Sequence, residues 1–80
     1  MLSSLIATVD SPTDKELIIQ LYNTYKQFMY NISMSILGKR EDAEDAVQDS
    51  FVRIIDNLDK INNPYSRKTK SYITVITKNV

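Results

Sequence analysis

Two carboxylate pairs, Glu41-x-x-Glu44 and Asp56-x-x-Asp59, are the residues that could do chemistry most directly. Hard oxygen ligands at such spacing suit magnesium, and magnesium would serve phosphate hydrolysis. Both pairs fall on one expected helix, about 18 Å apart at a 1.5 Å rise per residue. They cannot converge on one ion without a second helix. The chain has no histidine and no cysteine, which removes the commonest general base, the commonest metal ligand and any disulfide. Metal catalysis is therefore a weak reading of these acids.

A second kind of chemistry is written in Asn62-Asn63-Pro64-Tyr65-Ser66-Arg67-Lys68-Thr69-Lys70. Asparagine amides and a serine hydroxyl can hydrogen-bond base edges. Tyr65 can stack a base, and Arg67, Lys68 and Lys70 can hold phosphates. An ordinary polar connector would use similar residues. The charge pattern favours the functional alternative. Residues 41–59 carry seven acids (Glu41, Asp42, Glu44, Asp45, Asp49, Asp56, Asp59) and one base, Arg53. Residues 60–80 carry five bases (Lys60, Arg67, Lys68, Lys70, Lys78) and no acid. The net charge of +0 hides this separation, which suits one basic and one acidic partner.

Eighty residues make one domain at most, with a small core. No apolar run approaches the roughly 20 residues of a membrane span. Met1 to Val9 has neither a positive start nor a clear cleavage site, so no signal peptide is expected. A soluble cytoplasmic protein with no membrane partner is the expectation.

The elements follow from periodicity. Residues 1–12 read as a flexible lead-in, and residues 13–80 as one helical domain. Thr13 with Glu16 fits a capping box, while Ser11 with Pro12 offers a competing helix start. Leu17, Leu21, Tyr25, Phe28, Ile32 and Ile36 then form a helical stripe, widened by Ile18, Tyr22 and Met29. Gly38 is a left-handed cap in the making. A second helix starts near Arg40 with acids in its first turn, where the helix dipole favours them. Its apolar stripe is Ala43, Ala46, Val47, Phe51, Ile54, Leu58 and Ile61, and Asn62-Asn63-Pro64 stops it. On the opposite face Val52 is ringed by Asp45, Gln48 and Asp49, like a polar-rimmed docking patch. Arg53 is expected to pair along the helix with Asp49 or Asp56. Tyr72 to Thr77 is rich in β-branched residues, but a lone strand would have nothing to pair with, so a third helix is expected. The absence of a stop signal after Lys78-Asn79-Val80 suggests a fragment truncated at its C-terminal end.

Three strings together resemble region 2 of a bacterial RNA polymerase sigma factor of the extracytoplasmic-function type. They are the tyrosine-rich Leu21-Tyr22-Asn23-Thr24-Tyr25 through Tyr30, the core Glu41-Asp42-Ala43-Glu44-Asp45-Ala46-Val47-Gln48, and Lys70 through Lys78-Asn79-Val80. The resemblance covers residues 14–80 and implies an all-α bundle of three principal helices that is not itself an enzyme. It implies that Glu44, Asp45, Gln48, Asp49 and Val52 bind the β′ clamp helices of the polymerase core. It also implies that Asn62, Asn63, Tyr65, Ser66, Arg67, Lys68, Lys70, Lys78 and Asn79 bind promoter DNA. The DNA would be the non-template single strand of the −10 element, with one base flipped out. An anti-sigma factor is a further implied partner, and no cofactor or metal is expected. Tyr72 stands where the family usually has tryptophan, which leaves a smaller aromatic platform; packing in the core is the simpler role for it. A helix-turn-helix domain that would read the upstream element is absent from these residues. Two alternatives stand beside this reading. One is a helical protein–protein adaptor, which would not need the acid-free basic stretch. The other is a fragment of an all-α magnesium-dependent nucleotide pyrophosphohydrolase.

Overall fold

Helix α1 begins where a proline can start a helix and a serine can cap it. The computed structural model describes residues 5–7 and 9–79, and in it α1 runs Pro12–Leu37. The Ser11 side chain accepts the Asp14 amide at 3.3 Å, with Pro12 in the first turn. Thus Ser11, not Thr13, is the cap; Pro12 has no amide hydrogen to leave unpaired there. The helix ends at Gly38, whose φ of 74° is left-handed and whose amide donates to the Met34 carbonyl. Only glycine takes that conformation without a Cβ penalty.

Helix α2 spans Arg40–Asp56 and follows after two residues. So short a link makes α1 and α2 antiparallel neighbours. The Tyr22 and Phe51 rings lie 5.2 Å apart across that pairing. Lys39 caps α2 without a side-chain hydrogen bond; Glu41 and Asp42 in the first turn offset the exposed amides electrostatically. α2 ends earlier than its apolar period suggests. Asn57 adopts φ −122° and its amide donates to the Arg53 carbonyl at 2.9 Å. This side chain competes with the helical ladder and closes it. A 3₁₀ turn, Leu58–Lys60, follows, and Ile61 returns to the core.

Helix α3 spans Arg67–Lys78, five residues longer at its start than the β-branched stretch suggests. Ser66 caps it by accepting the Thr69 amide. The threonines that weaken helix propensity turn their hydroxyls onto the helix itself: Thr74 donates to the Lys70 carbonyl and Thr77 to that of Ile73. Arg67, Lys68 and Lys70 therefore belong to a helix, not to the loop.

α3 packs across both members of the hairpin. The shared core is Leu21, Tyr25, Met29, Val47, Phe51, Ile54, Ile61 and Ile73, joined by Leu5. Leu5 is only 8% exposed, so part of the segment read as a loose lead-in packs into the bundle. Ile36, expected in the stripe, is 58% exposed. It lies in the last turn before Gly38. No strand occurs among the described residues.

Candidate nucleic-acid interface

The α2 surface divides by angle. At 100° per residue, Ala43, Ala46, Val47, Ser50, Phe51 and Ile54 point inward and are buried. Asp45, Asp49, Val52 and Asp56 point outward and are exposed, and Gln48 is half-buried beside them. Val52, at 46% exposure, is the apolar centre of this acidic face. Glu44 lies at its edge, 3.2 Å from Arg40 Nε. Both side chains are open to water, so this pair contributes about 0.3–0.5 kcal/mol. Arg53 makes no ion pair with Asp49 or Asp56. Among the described residues the bridge is Arg40–Glu44, across the first turn of α2.

The loop between α2 and α3 is folded on itself. The Asn63 side chain accepts the Tyr65 amide at 2.9 Å. The Asn63 carbonyl accepts from the Thr69 hydroxyl at 2.6 Å and from the Ser66 hydroxyl at 3.2 Å. These bonds set the Asn63–Ser66 turn and start α3 together. Between the bonded residues, Pro64 is buried, and its carbonyl accepts the Tyr25 hydroxyl at 2.6 Å. Tyr65 instead projects outward, 66% exposed.

Beside this turn lies a concavity of about 600 Å³. Asn62, Asn63, Ser66, Lys68 and Tyr72 line it, together with Asp59 and Lys60. The structure thus gathers four residues singled out in the sequence, Asn62, Asn63, Ser66 and Lys68, around one hollow. It also adds Tyr72, half-buried against the core, as part of the wall. Among the described residues, only Asn62 of the two asparagines keeps its side-chain amide free of intramolecular partners. Ser66 spends its hydroxyl on capping.

The other expected contacts lie along α3. Arg67 and Lys78 are separated by eleven positions, and 100° steps bring them to one exposed face with Ser71. Lys68 turns toward the concavity. Lys70 goes the other way: its ammonium sits 5.0 Å from the centre of the Phe28 ring, a cation–π contact. Asn79 ends the helix and donates its side-chain amide to the Val75 carbonyl. Sequence reasoning missed Thr69 and Tyr25. Their partners are backbone carbonyls six and 39 positions away, which leave no local pattern.

The carboxylate pairs do not assemble. Asp56 closes α2 and Asp59 lies in the 3₁₀ turn, so the second pair is not on one regular helix. No group of three or more acids among the described residues could hold a metal ion. No described helix is long and apolar enough to cross a membrane.

The family model for sigma-70 region 2 matches residues 21–80. The chain belongs to the sigma-70 region 2 family. No curated protein and no solved structure matches it. Membership makes this an all-α sigma factor domain of transcription initiation, with RNA polymerase core and promoter DNA as its partners. The match takes in the acidic face of α2, the whole turn and α3. Only the first nine residues of α1 and the lead-in lie outside it.

Proposed function

We propose that this domain is a cytoplasmic sigma module of the extracytoplasmic-function type, with two separate working surfaces. The acidic face of α2 docks on the basic β′ clamp helices of the polymerase. The turn and α3 take the non-template strand of the −10 element as it melts. The observation that carries this reading is the 600 Å³ concavity, which puts a free asparagine amide, a lysine and a tyrosine around one hollow.

The roles follow from what each side chain is free to do. Glu44, Asp45, Gln48 and Asp49 supply charge and hydrogen bonds around Val52, and Val52 supplies the dry centre. Asn62 reads a base edge in the concavity. Asn63 and Ser66 hold the turn that presents it. Tyr65, outside, stacks a neighbouring base. Arg67, Lys68 and Lys78 meet phosphate, which positions the strand without selecting sequence. Lys70 serves more weakly, since Phe28 already holds its ammonium. Asn79 contributes at the end of α3. Flipping a base costs a few kcal/mol of unstacking, and the hollow with its adjacent cations offsets that cost. An anti-sigma factor would compete for one of the two surfaces.

A fluorescence titration with a −10-type oligonucleotide tests this. The chain should prefer the single strand to its duplex. With three or four phosphates engaged, the log–log salt slope should be about −2 to −3. Equal binding to both forms with a slope near zero would overturn the reading.

A further inference from the structure

The Tyr25 hydroxyl ties the interior of α1 to the base-selecting turn by a hydrogen bond. It lies in the core, 6% exposed, and donates to the Pro64 carbonyl at 2.6 Å across 39 positions of chain. Its ring is fixed by an edge-on contact with Phe28 at 6.5 Å. Pro64 stands between Asn63 and Tyr65, and two residues after Asn62. Among the described residues the turn's other hydrogen bonds are its own short-range ones, Asn63 to Tyr65, Ser66 and Thr69. Those bonds set its shape; its place against the bundle is held by Ile61, buried in the core just before Asn62, and by the Pro64 carbonyl within the turn.

We infer that Tyr25 is a positioning residue for base selection: through Pro64 it fixes where the Asn62 amide meets the strand, without touching nucleic acid itself. The inference rests on the reading of the turn as base-selecting. Proline keeps the chain stiff at the anchoring point, so a shift at its carbonyl moves both flanks together. A directional contact is sensitive to such shifts, whereas a lysine on phosphate is not. The result is a separation between discrimination and overall affinity. Burial, and Tyr65 to a lesser degree, lift the Tyr25 hydroxyl above its ordinary value of 10.0. The proton, and with it the bond, is then complete below that unfolded value and is lost only as pH rises through the higher folded one.

The test compares the 80-residue chain with Tyr25→Phe, which keeps the ring and removes one oxygen. Four single-stranded oligonucleotides differing at one −10 position are titrated into each. Wild type should discriminate. Tyr25→Phe should lose about fivefold of that discrimination, the usual worth of one net hydrogen bond, with its salt slope unchanged. Val47→Ala, a core change on α2 away from the turn, should lower the melting temperature and keep discrimination. If wild type shows no base preference, the reading of the turn fails and takes this inference with it. If wild type discriminates and Tyr25→Phe does so equally, the inference alone is wrong. It is also wrong if Val47→Ala flattens discrimination as much, or if Tyr25→Phe loses its helicity, because the hydroxyl would then hold the whole bundle.

Discussion

Ser66 accepts the Thr69 amide at 3.2 Å, so the residue that closes the turn also starts α3. Local geometry and helix formation are coupled at this one hydroxyl. Ser66→Ala should therefore destabilise the domain by about 1 kcal/mol, the usual cost of losing an N-cap. Urea unfolding followed by circular dichroism would measure it. An unchanged midpoint would mean that the cap contributes nothing.

The core offers a larger effect. Phe51 is 0% exposed and packs its ring, tilted by 48°, against Tyr22. Phe51→Ala should cost about 3–5 kcal/mol, through lost burial and the cavity left behind. Total stability for so small a domain is marginal. The variant should be largely unfolded at 25 °C, and a native-like melting curve would contradict this packing.

Docking and DNA binding should come apart by mutation. Asp45→Arg with Gln48→Ala places a cation beside Val52 and removes an amide. Truncating a central interface residue often costs 2 kcal/mol or more, roughly thirtyfold in affinity. A pull-down with the clamp fragment should lose the variant while its helicity stays unchanged. Retained binding would place the docking surface elsewhere.

Asn62→Ala should flatten the preference for one base by about 1–3 kcal/mol. Lys68→Ala should weaken all sequences about equally and make the salt slope shallower by about 0.7. Oligonucleotide titrations against both variants would check this. If the lysine variant changed base preference and the asparagine variant did not, the two roles would be reversed.

What the sequence made legible was local. Gly38 as a left-handed cap, the stripe through Leu21 and Tyr25, and the split of α2 into apolar and acidic faces each rest on residues within a turn or two. Tyr72 to Thr77 was legible as a helix despite its strand propensity, and the Ser66 cap starts that helix. The misread features had a competing local signal. Asn57 ended α2 inside an unbroken apolar period because its side chain could close the last turn. Asn62 and Asn63 looked equivalent. Only the turn's own hydrogen bonds tell them apart, since Asn63 faces the Tyr65 amide. The Tyr25–Pro64 bond depends on how α1 lies against the loop, and no spacing encodes that.

The central claim is that one small chain holds two partners at two separate surfaces. The most direct measurement titrates the clamp fragment into the chain already bound to a labelled −10 single strand, with anisotropy and mass followed together. The two surfaces predict a ternary complex in which the strand stays bound. Release of the strand as the clamp binds, in stoichiometric exchange, would contradict it.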